Sequence, residues 1–557
     1  MRQRGPCRRH GPDRGPGQSI GPAHERVRRR HARRLLLDGR VPRLLGLDPR
    51  GRASPRLRNA DRSRDGPAHI PSGGGDMAGR RVVVVGAGPA GLRAAETLAK
   101  AGERPVLLDA APASGGQIYR RQPGTFVREP VDIYGSEAPK AAAIHRILDT
   151  LGERVDYRPN TEVWAISGHR LHIAEDSGMG EMEFDNLILA TGATDRVLPL
   201  PGWTLPGVHT LGGAQIALKS QACAIGERVV LLGSGPLLLL VAWQYAKAGA
   251  KVAAVLDTAR LRDQAAALPK LAARPTFLWR GLTLRAKLIR LGVRVHQGVA
   301  DLAIEGDATA GIEAVRWRDA AGRPHRIACD AVGMGWHLRS ETQIAELAGC
   351  RFTWDPIARQ HLPELDPMGR SSISGLYIAG DGGRQLGADG AELAGRLAAL
   401  ACLEDNGHAP APETGALLGR MSRFERFRRG LARAFPWPQQ LCRNMADETL
   451  VCRCEAVTVG TFREVIRRAD ADEPNRAKSL SRVGMGRCQG RFCAAAASEI
   501  LAAECQVEPA ALPGLRAQPP VRPLAMRCAP RDGSNTIAEE SETQTGEMTH
   551  HRERSTA

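Results

Sequence analysis

RRVVVVGAGPAGLRAAETLAKAGERPVLLDA, residues 80–110, is the stretch from which the fold class follows. Its four consecutive valines predict a parallel strand that is buried on both faces, and an Ala/Leu-rich helix and a second strand follow. In the intervening GxGxxG, Gly86 makes the tight turn, Gly88 lets the backbone approach a pyrophosphate, and Gly91 lets the helix lie close to the strand. Asp109 ends the second strand, where it is placed to bind a ribose hydroxyl. This order of elements predicts a dinucleotide site.

Two later stretches have a similar strand-then-glycine form: LILATGATDRVLPLPG, residues 187–202, and SGLYIAGDGGRQLGADGAELAGRLAA, residues 374–399. Together with residues 80–110 they resemble the two-dinucleotide-binding flavoprotein class over roughly 77–400. In that class the three elements enclose one FAD. The resemblance therefore implies an α/β fold with FAD as cofactor.

The same resemblance extends the predicted FAD site to residues outside the first glycine motif. These residues are Gln117, Thr191, Gly192, Gly380 and Asp381. Gln117 is assigned to the flavin ring by position only, whereas Gly380 and Asp381 would lie beside the ribityl and pyrophosphate part. No cysteine lies between residues 77 and 222, although disulfide reductases of this class need a thiol pair beside the flavin. The chain is therefore predicted not to be a disulfide reductase.

ERVVLLGSGPLLLLVAWQYAKAGAKVAAVLD, residues 227–257, repeats the first pattern. Gly233 and Gly235 correspond to the first two glycines, Leu238 replaces the third, and Asp257 is the terminal acid. Because Leu238 has a side chain, its helix must stand farther from the strand. Two interpretations remain open: an NAD(P)(H) site, in which Asp257 favours the unphosphorylated ribose, or a retained fold that binds nothing or another nucleotide.

Four cysteines are grouped late in the chain: Cys452 and Cys454 form C-x-C, and Cys488 and Cys493 form C-x4-C. Four thiolates suit zinc or an iron–sulfur cluster. Glycines around GMGRCQG permit N–H donors to cluster sulfurs, and nearby Lys and Arg would offset the cluster charge. The pattern resembles the bacterioferritin-associated-ferredoxin type [2Fe-2S] domain over about 449–503, which implies a [2Fe-2S] cluster; zinc is the alternative. The other cysteines after residue 77 are predicted to be ordinary thiols: Cys223, Cys329, Cys350, Cys402, Cys442, Cys505 and Cys528.

The formal charge of +18 comes mostly from the first 76 residues, which hold 19 Arg and no Lys against seven acids. The rest of the chain is only mildly basic, so nucleic-acid binding is not predicted. Segment 1–76 is predicted to be disordered and to be an over-extended gene start before Met77, with a basic tail that binds RNA or lipid as the alternative. No run of eighteen apolar residues predicts a membrane span. The cysteine usage, without a signal peptide, predicts a cytoplasmic protein.

These motifs divide the chain into a predicted series of segments. They are 1–76, the leader; 77–211, the first part of the FAD-binding domain; 212–325, an inserted NAD(P)-type dinucleotide domain; 326–408, the second part of the FAD-binding domain; 409–448, a linker; 449–505, the [2Fe-2S]-binding domain; and 506–557, a C-terminal extension with a polar tail.

The order of these domains is similar to that of the large flavoprotein subunit of opine oxidases, of hydrogen cyanide synthase and of hydroxyproline or proline dehydrogenases. GGQIYRR, GSGPLLLLVAWQ, TQIAELAGCRF and RAQPPVRPL carry this closer resemblance, over roughly 77–525. It implies an oxidoreductase subunit that relays electrons to a quinone or a dye. It also implies a partner, an amino-acid-oxidase-like flavoprotein subunit that oxidises a C–N bond. Two alternatives are an NAD(P)H-dependent reductase of a ferredoxin-like acceptor and an iron–sulfur redox sensor.

No substrate-level acid or base is predicted. His337 and Arg339 are the polar residues nearest the predicted flavin return strand, and a structural role is favoured for His337. Tyr119 would line the flavin ring by position. The apolar residues of segment 268–298 recur at helical spacing with Arg and Lys between them, which predicts a packed helix with a solvated basic face.

Overall fold

The computed structural model describes residues 80–124 and 128–524. The predicted leader, the start at Met77, the polar tail beyond 524 and Cys528 lie outside the described residues. None of the helices in the described ranges combines the length and hydropathy that a membrane crossing requires.

The strands of the described residues are, in chain order, β1 (Val82–Val85), β2 (Val106–Leu108), β3 (Asp156–Arg158), β4 (Glu162–Ser167), β5 (Arg170–Glu175), β6 (Gly178–Glu183), β7 (Asn186–Leu189), β8 (Ala193–Asp195), β9 (Val208–Thr210), β10 (Arg228–Ser234), β11 (Lys251–Asp257), β12 (Val295–Gln297), β13 (Ala300–Asp307), β14 (Gly311–Arg318), β15 (Pro324–Ala328), β16 (Ala331–Trp336), β17 (Leu338–Ser340), β18 (Phe352–Asp355), β19 (Gln360–Pro363), β20 (Leu376–Ile378), β21 (Leu450–Cys452) and β22 (Val457–Thr458).

The α-helices of the same residues are α1 (Pro89–Lys100), α2 (Pro130–Tyr134), α3 (Ala138–Leu151), α4 (Leu211–Ser220), α5 (Pro236–Lys247), α6 (Leu261–Leu271), α7 (Pro275–Arg290), α8 (Gln343–Leu347), α9 (Gly387–Asp405), α10 (Thr414–Ala434), α11 (Gln439–Arg443), α12 (Val459–Ala469), α13 (Pro474–Ser481) and α14 (Ala494–Glu504).

The first sheet is parallel and has the order β20-β7-β1-β2-β3. The four valines of β1 are buried, as a strand covered on both faces requires. Residues of α1, α3 and α9 share one core with Val82 and Val84, whereas residues of β4 and β5 share another with Val83 and Val85. The predicted α/β fold is confirmed for this part of the chain.

A second parallel sheet has the order β12-β11-β10-β16-β9. The chain segment between β12 and β16 contains β13, β14 and β15, which form an antiparallel sheet. The repeat of the βαβ pattern therefore produces a second unit of the same kind. β9 and β16 lie on either side of the predicted limits 212–325, so strand pairing extends the second unit beyond both limits. The two short strands β8 and β17 pair with each other and connect the two units.

The four grouped cysteines lie in a small unit made of β21, β22, α12, α13 and α14. Its buried residues form one continuous core with residues of the second sheet, including Val230 and Leu232. The indole N–H of Trp203 donates to the carbonyl of Leu450 at 2.7 Å. This unit is therefore packed against the second dinucleotide unit.

The crossing of α1 and α9 depends on a glycine. A Cβ atom added to Gly395 would lie 2.0 Å from the carbonyl oxygen of Ala90, a distance that no packed atom pair tolerates. Both helices contribute to the core above the first sheet. Their close approach is therefore possible only with glycine at this position of α9.

We predict that Gly395→Ala lowers the free energy of unfolding by about 1–3 kcal/mol, because the added methyl group forces the two helices apart. Gly419→Ala is the matched control: Gly419 is an exposed glycine of α10, and no other atom lies near the position that a Cβ would take there. Alanine at this site should stabilise the helix by up to about 1 kcal/mol. Urea denaturation measures both. Equal effects of the two substitutions would contradict the packing argument.

Candidate functional site

The three predicted glycine elements meet at the carboxyl ends of β1, β7 and β20. A Cβ atom on Gly86 would lie 2.4 Å from the carbonyl oxygen of Ala190, and one on Gly380 would lie 2.8 Å from the Cβ of Ala90. A Cβ atom on Gly382 would lie 2.9 Å from the hydroxyl oxygen of Thr191. The structure therefore brings together the glycine motif, the turn of Thr191 and Gly192, and the late glycine–aspartate turn.

The amino terminus of α1 is open to an anion. Its N-cap is Gly88, no side chain caps it, and Pro89 follows as the first helical residue. Free N–H groups and the positive end of the helix dipole therefore face the glycine turn, as a pyrophosphate site requires. Gly91 is essential to the geometry, because a Cβ atom there would lie 1.8 Å from the Gly86 carbonyl oxygen. These features fit the dinucleotide part of FAD.

The loop that contains Gln117 covers this turn. Gly116 has a φ of +63°, and a Cβ atom there would lie 2.8 Å from the Cα of Gly88. Gln117 is exposed, and its side-chain oxygen accepts from Arg120 at 2.7 Å. Tyr119 is fully buried in the core, with its hydroxyl bonded to Glu137, so the prediction that its ring lines the flavin is wrong.

The two acidic residues of the first site orient its turns. The Asp109 carboxylate accepts the N–H of Ala87 within the glycine motif, and burial raises its pKa. The Asp381 carboxylate accepts the N–H groups of Leu386 and Gly387 at 2.8 and 3.0 Å, and burial raises its pKa as well. Asp381 therefore fixes the start of α9 next to the converging turns.

The second glycine turn is different, because its acid is enclosed by protein. Asp257 is only 1% exposed, it accepts the N–H of Ala259 at 2.9 Å, and burial raises its pKa to about 6. Leu238 is fully buried where the first site has glycine, so α5 cannot approach its strand as closely as α1 does. A ribose hydroxyl would have to displace packed protein to reach Asp257.

His337 lies over this second turn. It directly follows β16, which belongs to the second sheet, so the prediction that placed His337 beside the flavin return strand is wrong. Its Nε2 lies 2.5 Å from the carbonyl oxygen of Phe435, and burial lowers its pKa to about 4. Because a carbonyl only accepts, Nε2 carries the proton and Nδ1 presents a lone pair, 3.5 Å from a Cβ position on Gly235. That lone pair would repel a phosphate at Gly235. Arg339 lies in β17, where it is opposite Thr194 of β8, so it lies beside the first site and not beside the second.

The four grouped thiols contact one another in two pairs. The Cys493 thiol donates to the Cys452 sulfur, and backbone N–H groups that include that of Gly484 also donate to it; together they lower the pKa of Cys452 to about 5. Cys454 is hydrogen-bonded to Cys488. Cys493 also interacts electrostatically with Cys454 and Cys488, so the two pairs lie together in one group. A pairwise arrangement with N–H donors fits a two-iron cluster with four cysteine ligands.

A chain of contacts through Glu341 and Arg491, which the sequence did not predict, joins two loops. One is the turn of Thr191 and Gly192, called here the flavin turn, and the other is the cysteine loop between Cys488 and Cys493. The hydroxyl of Thr191 donates to the Glu341 carbonyl at 2.6 Å, and the Glu341 N–H donates to Gly192 at 3.0 Å. The Glu341 carboxylate in turn accepts from Arg491 at 2.6 Å. The Arg491 N–H donates to the carbonyl of Cys488, one of the four grouped cysteines, at 3.2 Å.

This bridge is buried and charged. Glu341 is 5% exposed, and although burial would raise its pKa, Arg339 and Arg491 outweigh that effect and hold the pKa below its ordinary value. Beside it the Gln343 side chain donates to the carbonyl of Gln489, also within the cysteine loop, at 2.8 Å. The flavin turn and the cysteine loop are thus linked by short polar contacts, in which the Glu341 side chain is buried.

Lys219 is a second residue that the sequence did not indicate. It is buried at the end of α4, and its amine donates to the carbonyl of Ile118 at 2.9 Å, next to Gln117. Burial and, to a smaller degree, Arg120 lower the pKa of Lys219 to about 7. No pattern in the sequence around Lys219 could have indicated this, because the contact joins residues 101 positions apart.

Comparison with known families gives two matches. Residues 80–394 match the model of the pyridine nucleotide-disulphide oxidoreductases, and residues 450–503 match the BFD-like [2Fe-2S] binding domain. The first match covers the three converging glycine elements and the second glycine turn. The second match contains all four grouped cysteines.

Curated relatives are similar over most of their length. An opine oxidase subunit of Rhizobium meliloti is 37% identical over 464 residues, which cover 80% of this chain and 86% of the relative. Hydrogen cyanide synthase subunit HcnB of Pseudomonas aeruginosa is 31% identical, with coverage of 74% and 90%. Among solved structures, L-proline dehydrogenase from P. horikoshii has a similar fold, with a TM-score of 0.56, 18% identity, and coverage of 81% of this chain and 79% of that chain.

We predict that Cys454→Ser or Cys493→Ser abolishes iron binding while the flavin remains, because the flavin elements lie in a different unit. Cys505→Ser is the matched control, since Cys505 is a free cysteine of the same region outside the four. Elemental analysis and the visible spectrum of anaerobically reconstituted protein measure both cofactors. Full iron content in either ligand variant, or zinc in place of iron, would contradict this assignment.

Proposed function

Because the chain belongs to the pyridine nucleotide-disulphide oxidoreductase family, we propose that it is the electron-relay subunit of a heteromeric dehydrogenase that oxidises C–N bonds of amino acids or opines. It is an FAD-dependent oxidoreductase with a BFD-like [2Fe-2S] domain. The observation that supports a relay most strongly is the buried Glu341–Arg491 pair, which joins the turn at the flavin site to the loop of the cluster ligands.

The relay follows from the chemistry of two cofactors on one chain. FAD accepts electrons in pairs, whereas a [2Fe-2S] cluster carries one electron at a time. The chain's own residues would hold these groups at a fixed separation: Thr191 and Gly192 on the flavin side, Cys488 on the cluster side, and Glu341 with Arg491 between them. Burial of this bridge keeps water out of the region through which charge would pass.

The donor of the electrons would be a second subunit. The relatives named above are subunits of opine oxidase and of hydrogen cyanide synthase, so we propose a similar hetero-oligomer here, with an amino-acid-oxidase-like flavoprotein as partner. The substrate would lose two electrons and two protons from its C–N bond at the partner subunit, and the protons would pass to solvent. The electrons would pass through this chain to an artificial dye or to a quinone, which takes up two protons when it is reduced. All ten cysteines in the described ranges are free, which supports a cytoplasmic location.

The geometry of the second glycine turn does not favour the alternative of an NAD(P)H-dependent reductase. Asp257 is enclosed, and the neutral His337 ring presents a lone pair where a pyrophosphate would lie. We propose that this unit acts mainly as the support on which the cysteine-rich unit packs. The complete first site, in turn, supports an electron-transfer role more than a sensor role, because a sensor needs only the cluster.

We predict that Glu341→Gln raises the midpoint potential of the cluster and slows electron equilibration between flavin and cluster after photoreduction. The substitution leaves the Arg491 charge uncompensated near the cluster, and a positive charge stabilises the reduced, more negative state. An EPR-monitored redox titration and transient absorption measure the two quantities.

Glu499→Gln is the matched control for Glu341→Gln. Glu499 is also buried, at 2% exposed, and forms an ion pair of 2.6 Å with Arg359, which joins the cysteine-rich unit to the segment between β18 and β19. Each substitution removes one charge of a buried ion pair and should lower the free energy of unfolding by on the order of 3–5 kcal/mol. If both variants change the potential and the rate equally, the bridge has no special role in the relay.

For the whole assembly, we predict that the purified chain alone oxidises no amino acid and that NADH or NADPH does not bleach its flavin. The complex with its flavoprotein partner should reduce a dye when a panel of amino acids, opines and other amines is supplied, and removal of iron should stop dye reduction. Rapid bleaching of the isolated chain by NADH would support the reductase alternative and contradict the relay.

A further inference from the structure

Helix α7 presents an apolar stripe to solvent. Trp279, Leu282 and Ile289 are 68%, 55% and 62% exposed, and with the exposed Ala286 they fall at positions i, i+3, i+7 and i+10 of the helix. Leu291, directly after the helix, is 52% exposed. Phe277 and Leu278 pack against one core and the buried Leu288 belongs to another, so α7 is a packed helix as predicted, but its exposed face carries this apolar stripe in addition to basic residues.

This concentration of apolar side chains is unusual for a protein surface. Single exposed apolar residues scattered over a surface are normal, whereas a contiguous stripe indicates a surface that binds another protein or a membrane. Six of the eleven large hydrophobic residues that are exposed in the described ranges fall between residues 261 and 291. We define the α7 face as the stripe of Trp279, Leu282, Ala286, Ile289 and Leu291 with the adjoining Arg290 and Arg294.

The charge around the α7 face has one sign. Segment 264–300 contains seven Lys and Arg and no Asp or Glu. Arg274, Arg280 and Arg285 bond to other parts of the protein, to Asp389, Glu137 and Gln297 respectively. Arg290 and Arg294 are exposed and form no ion pair within the described parts of the chain. The face therefore offers apolar side chains together with uncompensated positive charge.

We propose that the α7 face docks on an anionic lipid bilayer. A helix with an apolar stripe that includes Trp, bordered by Lys and Arg, lies in the plane of a membrane interface with the stripe toward the acyl chains and the cations toward lipid phosphates. The acid-free sequence fits the negative surface of a cytoplasmic leaflet. Docking of this kind would place the chain beside lipid-dissolved acceptors, but the binding itself does not depend on the proposed electron relay.

The test is vesicle flotation of the full chain, loaded with FAD and iron, with vesicles of phosphatidylcholine alone or with 30% phosphatidylglycerol. The expected result is binding to the anionic vesicles that is at least about tenfold tighter than to the neutral ones and that salt weakens. The double variant Trp279→Ser/Leu282→Ser should lose about tenfold or more in affinity. Leu480→Ser, another exposed apolar position at 51%, is the matched control and should bind normally.

Charge is tested separately by Arg290→Glu/Arg294→Glu, which should weaken anionic-vesicle binding by about fivefold or more per residue. Arg423→Glu, at an exposed position of α10, is the control. Flavin spectra and thermal midpoints verify that every variant is folded.

Three results would overturn the proposal. They are equal binding to neutral and anionic vesicles, unchanged binding by the Trp279→Ser/Leu282→Ser variant, and absence of vesicle binding. If that variant instead loses self-association in light scattering, or loses a purified partner subunit, the α7 face is a protein interface. Because no turnover is measured, failure here leaves the relay proposal unaffected.

Discussion

The ion pair between Glu341 and Arg491 is the contact that fixes the flavin turn relative to the cysteine loop. Both side chains are buried, and Arg339 together with Arg491 holds the pKa of Glu341 below its ordinary value, so the charged pair keeps the flavin turn and the cysteine loop in one relative position. The backbone of Glu341 is bonded to the turn at Thr191 and Gly192, and that of Arg491 to Cys488. A displacement of either unit would therefore leave a buried charge unpaired.

The sequence predicts much of the fold because the decisive features are local. A run of valines, a glycine at a position where any Cβ would collide with Ala190, and an acid at the end of the next strand all lie within one short stretch. The same is true of the four cysteines, whose spacing already indicates thiolate ligands. These elements need no knowledge of the rest of the chain, and the family matches confirm the FAD and [2Fe-2S] assignments.

The remainder of the site depends on contacts between distant residues. Glu341 and Arg491 are 150 positions apart, and although Arg491 lies within the C-x4-C motif, nothing in that motif indicates Glu341 as its partner. The prediction for His337 is wrong because the sequence does not show that β16 joins the second sheet. The sequence also does not show which side of α7 packs against the rest of the protein. Tyr119 follows a glycine pair that is typical of a cofactor loop, yet the chain turns its ring into the core. The spacing of a motif indicates which side chains can bind a cofactor, whereas contacts between residues distant in the sequence determine where those side chains lie.

The central claim is that a pair-accepting flavin and a one-electron cluster operate together on this polypeptide. An anaerobic reductive titration of the reconstituted chain, followed by absorbance and EPR, tests it most directly. The account predicts uptake of about three electron equivalents per chain, with a paramagnetic cluster signal that appears as the flavin is reduced. Uptake of only about two equivalents, with flavin bleaching and no paramagnetic cluster signal, would contradict it.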